Sequence, residues 1–242
     1  MAARMGNKPQ PRHRHWNLKT DPAEDIFADQ LTMITKLWLQ MHNQGPSRTL
    51  NPGLGLSMGP EEVKWDPSIK AGFKLELQAG TMLPFGLEVT LNAYWKFIYF
   101  GYDLGRDHAP RLESELPITA RRYLDTDGST AIVWANTDDV KEMNGVKFHG
   151  LQLHTNGCIR FRRAPRQGPG QQSTSTILEA SLESIPVFHE TVADRAQQAQ
   201  VFVAENGKAF TKIDKLFCQR MGAMLVEEDW KATFGREAMI DA

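Results

Sequence analysis

His149 and His154 are five residues apart in "VKFHGLQLHTNG", a segment with strand character, and they suggest a metal pair. Side chains alternate across a strand, so an odd offset sends the two rings to opposite faces, and they cannot chelate one ion unless a bulge intervenes. Cys158 follows Asn156-Gly157 with no histidine on its own face; a reactive thiol needs an electropositive site, and Arg160 two residues on is the nearby cation. The carboxylate pairs Asp138-Asp139 and Glu227-Glu228 are expected in loops or at helix ends, where water solvates them. "GLGLSMG" (53–59) has glycines like a phosphate-binding loop, but Pro52 precedes it and Pro60 follows it, where a dinucleotide fingerprint needs a strand and a helix. No Gly-x-Ser-x-Gly elbow, Walker loop or His-Glu-x-x-His motif occurs. No catalytic residue, metal site or cofactor is therefore assigned.

Arginines offer a different chemistry. In "TARRYLD", Arg122 shares a strand face with Ala120 and Leu124, so it projects inward. A charge on an apolar face is costly unless paired. It would pair with an acid such as Glu76 or Glu179, or meet the polar head of a ligand. The alternative is a sheet edge from which both Arg121 and Arg122 reach water. In "IRFRRAP", Arg160 and Arg162 form a basic stripe opposite Ile159 and Phe161, which reads as a solvated face compatible with transient membrane contact. Nucleic-acid binding by stacking wants exposed aromatics beside such a stripe. The aromatics here, Tyr123, Phe148 and Phe161, are expected inside.

Bulk properties set the frame. The 242 residues carry a net charge of −1, with 41% hydrophobic and 24% charged residues. A globular core is expected, and no strong field would draw in nucleic acid. Two cysteines are too few for a disulfide framework or a thiolate zinc site, and fit a reducing compartment. Residues 1–20 are basic and polar and lack the apolar run of a secretory signal. No apolar stretch reaches the roughly 18–20 residues of a transmembrane helix. A cytoplasmic protein is the expectation.

The elements that must position these residues follow from periodicity. Residues 1–22 read as a mobile basic arm. Phe27, Gln30, Ile34, Leu37, Trp38 and Met41 predict a helix over 24–42. Residues 43–72, rich in glycine and proline, predict loops. "FKLELQ" alternates as a half-buried strand, and Leu91, Tyr94, Trp95 and Ile98 stripe a helix over 87–99. Two hairpins are expected, one turning at Asp127-Gly128 and one at Asn156-Gly157. "RQGPGQQ" predicts a loop, and "STSTILEASLE" the last of about six strands. A long helix from Val187 to about residue 225 would close the chain, with a kink or break at Asn206-Gly207.

This order predicts an α+β fold in which a curved antiparallel sheet wraps around one long C-terminal helix. "FKLELQAGTMLPFGLEVTLNAYWKF" (73–97), "ARRYLDTDGSTAIVWANTDDVKEMNGVKFHGLQLHTNGCIRFRRAP" (120–165) and the helix ending in "MLVEED" resemble the START-like domain of oomycete mating-specific-type proteins. The resemblance spans roughly residues 45–228. It implies a helix-grip fold and, by family, a lipid or other hydrophobic ligand. Many such domains follow a basic coiled-coil segment; residues 1–20 are too short for one and contain Pro9 and Pro11, so a DNA-binding function is not expected to carry over.

The expected organisation is an arm (1–22), a START-like domain (23–230) and a C-terminal tail (231–242). The expected function is non-catalytic binding of a lipid or other hydrophobic small molecule between sheet and helix. Leu75, Leu77, Trp95, Trp134, Phe148, Phe161, Phe202, Phe210 and Phe217 are expected to line the site, with Arg122 for the ligand head. Two alternatives share the scaffold: a regulatory or protein-interaction module with a filled core, and a cyclase- or aromatase-like enzyme. A cavity of about 300 Å³ or more would argue against the first; ionisable groups converging in it would favour the second.

Overall fold

Long alternating runs in the middle of the chain and helical stripes at either end assemble into one curved sheet held between helices. A computed structural model describes residues 14–44, 53–54, 56–57, 61–67, 69, 71–100, 111–113, 118–165 and 174–235. The loop at 166–172, Arg12 and His13 of the basic arm, and most of "GLGLSMG" lie outside the described residues. In chain order the elements are α1 (Ala23–Gln44), β1 (Gly53–Leu54), β2 (Glu61–Trp65), β3 (Phe73–Leu83), α2 (Leu87–Phe100), β4 (Arg111–Glu113), β5 (Thr119–Leu124), β6 (Thr130–Met143), β7 (Val146–Arg163), β8 (Thr176–Phe188) and α3 (Arg195–Phe234).

The sheet runs β1-β3-β8-β7-β6-β4, with β2 also beside β3 and β5 also beside β6. All pairs are antiparallel except the short β1–β3 contact. Eight strands are present where about six are expected: β1 and β2 form inside the stretch read as loop, β4 is a further short strand, and two expected strands are one in β7. A register shift between Val140 and Glu142 marks a bulge in β6, a device that bends a sheet. The sheet's concave face receives α2 and α3, and its convex face receives α1: Met33 and Ile34 pack on Ala131, Val133, Ala135 and Cys158. Trp38 of α1 stacks on Tyr123 at 4.6 Å. Lys96 of α2 bonds Glu228 of α3 at 2.6 Å, tying the two concave-side helices together. This is the α+β architecture that the order of elements predicts, a curved antiparallel sheet around a long C-terminal helix, and it is the helix-grip arrangement that the resemblance implies.

Four expectations are corrected. Asn156-Gly157 is not a turn: β7 runs unbroken for 18 residues through it. The turn lies at Asn144-Gly145, both with positive φ (51° and 84°), the backbone a tight two-residue hairpin demands. Gly157 is small for another reason, since a Cβ there would stand 2.2 Å from Cζ2 of Trp134, its neighbour on β6. Secondly, α3 starts at Arg195 rather than 187, because Val187 and Phe188 still pair with β7 at the end of β8. It continues unbroken through Asn206-Gly207 and past residue 230 to Phe234, 40 residues or about 60 Å at 1.5 Å per residue.

Thirdly, the arm is docked from residue 14 onward. Trp16 is buried, its N–H donates to Gln152 Oε1 at 2.8 Å, and its carbonyl accepts from Gln152 Nε2 at 2.9 Å. Fourthly, Asp138 and Asp139 belong to β6 rather than a loop, and Glu227-Glu228 lie within α3 rather than at its end.

A candidate ligand cavity under the long helix

Parity sorts the sheet. On β6, Ile132, Trp134, Asn136 and Asp138 face the concave side; in register with them on β7 are Ile159, Gly157, Thr155 and Leu153. On β8 the same face carries Leu178, Ala180, Leu182 and Ser184, and on β3 Leu75, Leu77, Ala79 and Thr81. The apolar side chains beneath α3 form two separate clusters. At one end Tyr94 and Phe97 of α2 meet Phe217 of α3, with ring centroids 6.2 and 5.1 Å apart, and Phe161 lies 5.4 Å from Tyr94. At the other end Phe148 and Phe202 meet edge to face at 6.1 Å, beside Phe73, Leu75 and Met143.

Between the clusters lies a cavity of about 230 Å³ whose wall takes side chains from both. Its volume is short of the roughly 300 Å³ at which ligand pockets usually begin, so the interior is partly hollow. The wall is mostly apolar: Leu77, Ala79, Trp134, Leu153, Leu178, Ala180 and Leu182 from the sheet, and Phe210, Ile213 and Phe217 from α3.

A polar line crosses this apolar floor. Asn136, Thr155 and Ser184 are register partners on three adjacent strands. The Thr155 and Ser184 hydroxyls bond each other at 3.1 Å, and Asn136 Nδ2 donates to Asp138 Oδ2 at 2.5 Å. Asp138, only 3% exposed, Thr155 and Ser184 line the cavity. Two atoms here have no partner: Trp134 Nε1 and Asn136 Oδ1. At the margin of the cavity, Asn206 of α3 donates to Glu61 of β2. Burial raises the Glu61 carboxyl to about 7, against the opposing pull of that hydrogen bond.

Of the residues expected from sequence to line a ligand site, Leu77, Trp134, Phe210 and Phe217 border this cavity. Leu75, Phe148 and Phe202 fill the second cluster, and Phe161 fills the first. Trp95 lies outside the wall, stacked on Tyr99 at 5.9 Å. Arg122 is on the concave parity, opposite Ile132, but β5 stands at the sheet margin, and the guanidinium lies 4.4 Å over the Trp95 ring rather than in the cavity. Neither expected acid is its partner: Glu76 binds Lys74 at 2.5 Å, and Glu179 binds Arg162 at 3.0 Å.

The polar wall residues Asp138, Thr155 and Ser184 were missed. A signal was present for one of them: Asp138, like its bonded neighbour Asn136, interrupts an otherwise apolar parity in β6.

The remaining chemical candidates lie elsewhere. The basic stripe is neutralised, since Arg160 bonds Asp125 at 2.9 Å, Asp127 at 3.1 Å and Ser129 Oγ at 3.0 Å. Cys158 is buried under α1, and burial pushes its thiol far above the usual range, which makes it inert at neutral pH. His154 is buried beside Gln152, while His149 is exposed. Among the described residues, no group of three or more His, Cys, Asp or Glu is placed to hold a metal ion, and no helix is long and apolar enough to cross a membrane.

No family model matches the chain, and no curated protein matches its sequence. Similar solved structures include a protein of unknown function from Staphylococcus aureus, with 9% identity over 64% of this chain and 94% of the other at a TM-score of 0.29. Human STARD10 is 8% identical over 89% of this chain and 84% of its own, with a TM-score of 0.27. Ara h 8.0201 is 12% identical over 63% of this chain and 99% of its own, with a TM-score of 0.26. Scores this low carry no argument about function, which rests on the cavity itself.

Proposed function

We propose that the protein binds a compact, largely apolar small molecule in the cavity between the curved sheet and α3, without transforming it. The observation that carries this reading is the divided core. Protein interiors are close-packed, and voids larger than a water molecule are few. A space of about 230 Å³ between the two clusters, with a mostly apolar wall, is room that a ligand could fill. An engineered cavity of about 150 Å³ accepts benzene, so this one suits a molecule on the order of ten heavy atoms, well below a two-chain lipid. The space is below the roughly 300 Å³ that would argue against a filled-core interaction module, so ligand or probe uptake is what separates the two readings.

The test is native mass spectrometry of protein purified from cells, paired with titration of an apolar fluorescent probe such as anilinonaphthalene sulfonate. A small bound mass released on denaturation, or saturable probe uptake at one site, supports the reading. Protein that arrives bare and takes up no probe overturns it.

One observation favours an enzyme of cyclase type as a second reading. Asp138 and Glu61 are both on the cavity wall, and a carboxyl raised to about 7 is suited to acid–base work near neutral pH. Turnover of a bound ligand, lost in Glu61→Gln while binding remains, would replace the carrier reading.

A further inference from the structure

We infer that the cavity takes an organic cation, a compact amine with an apolar body; this rests on the cavity reading above and specifies the charge of the ligand. Among the described residues of the wall, Glu61 and Asp138 are acids, and none is a lysine, an arginine or a histidine. The two acids come from separate elements. Asp138 belongs to the sheet, on the concave parity of β6 in register with Leu153, and is 3% exposed. Glu61 belongs to β2 and stands at the margin, beside α3.

Each carboxyl accepts from a neutral amide, Asn136 Nδ2 for Asp138 and Asn206 Nδ2 for Glu61. An amide donates hydrogen bonds but brings no opposite charge. Glu61 shows the consequence. Burial raises its carboxyl to about 7, and what opposes that rise is the Asn206 hydrogen bond rather than a cation.

The apolar part of the wall suits a cation as well. Tyr94, Phe97, Trp134, Phe210 and Phe217 all border the space. The face of an aromatic ring attracts a cation held within about 6 Å of its centroid, tryptophan most strongly. A neutral occupant would shut the carboxyls off from water and offer nothing in return, and a buried charge is costly unless it is paired. A ligand carboxylate buried among them would meet like charge. An ammonium supplies the missing sign and donates to carboxylate oxygens, while its apolar body lies along Leu153, Leu178 and Leu182.

The experiment varies the charge and keeps the shape. Binding of 3-phenylpropylamine and of 3-phenylpropan-1-ol is measured by calorimetry on the wild-type chain, just above the pH of about 7 at which Glu61 ionises and with the amine still protonated. The inference expects one-site binding, with the amine about tenfold or more tighter. In Glu61→Gln or Asp138→Asn, each checked for folding by circular dichroism, that advantage should shrink by about threefold or more while the alcohol binds as before. Should Asp138→Asn fail to fold, Glu61→Gln, at the cavity margin, carries the comparison. Equal affinities in the wild type, or a tighter alcohol, overturn the cation assignment and leave the cavity reading intact. An advantage unchanged in every folded variant also overturns it, since acids outside the cavity would then hold the amine. Binding of neither compound overturns the assignment and the cavity reading together.

Discussion

The Trp134 ring occupies the space that a side chain at position 157 would need: a Cβ there would stand 2.2 Å from Cζ2 and 2.6 Å from Cε2. Gly157 lies opposite Trp134 on β7, and the indole it admits is a wall of the cavity. Gly157→Ala should therefore destabilise the fold by about 3 kcal/mol, at the upper end of overpacking costs. Adding Trp134→Phe, which trims the ring, should recover much of that loss. Urea unfolding of the two single variants and the double gives the coupling, and simple additivity would rule the steric account out.

Ala180 distinguishes a hollow core from a full one. Its methyl group is on the cavity wall, in register with Ile159 and Ala79. In a filled core, Ala180→Leu would cost about 1–3 kcal/mol. Here the added carbons enter empty space, so thermal stability should hold within about 1 kcal/mol or rise, while uptake of an apolar probe is lost. A sharp drop in melting temperature would mean that the space is not there.

Glu61 gives stability a pH dependence of defined sign. Its carboxyl ordinarily ionises near 4.5, and burial raises it to about 7 in the fold. Between these values the folded chain holds a proton that the unfolded chain has released, so stability falls as pH rises from about 4.5 through about 7. His15 slopes the other way: burial lowers its pKa from 6.5, so its contribution is lost as pH falls. The difference between wild type and Glu61→Gln isolates the carboxyl. That difference should grow from pH 5 to pH 7.5 in chemical denaturation, and a flat difference would contradict the burial.

Arg160 anchors the β5–β6 turn rather than a ligand or membrane. It and Asp125 are both about nine-tenths buried and 2.9 Å apart. Removing one partner of such a pair typically costs 3–5 kcal/mol, because the other charge is left buried alone. Arg160→Met should destabilise the chain by about 3 kcal/mol. Asp125→Asn should cost a comparable amount, and the double variant less than the sum, by thermal or urea unfolding.

Local patterns were read correctly where one face of an element decides its structure. The helix over 24–42, the alternation from Phe73, the stripe on α2 and the turn at Asp127-Gly128 all appear close to where periodicity put them. Asn-Gly occurs at 144–145, 156–157 and 206–207, and its three outcomes are a turn, a strand and a helix. The dipeptide alone does not decide; the Trp134 ring over Gly157 does, and that is a contact between strands. β2 escaped notice because Glu61–Trp65 owes its strand conformation to pairing with β3 rather than to its own mostly exposed side chains.

The site followed the same division. Aromatic residues could be assigned to the interior, but whether they filled a cluster or bordered a gap depends on how two clusters meet under α3. Asp138 read as loop because two adjacent acids are unusual in a buried strand. Arg122 had its parity right, and the position of β5 at the margin made the difference.

β6 and β7 are consecutive and joined by a two-residue turn, so their pairing can zip from that turn outward. The β3–β8 seam instead joins Leu75 to Ser184 and Leu83 to Thr176, positions about a hundred residues apart along the chain. Closing so long a loop is the slow part of acquiring such a topology. The hollow needs that seam, so it comes into being only near the end of folding. Any occupant then has nothing to hold in earlier, partly formed states, and its effect on lifetime is to slow the departure from the native state rather than to hasten arrival.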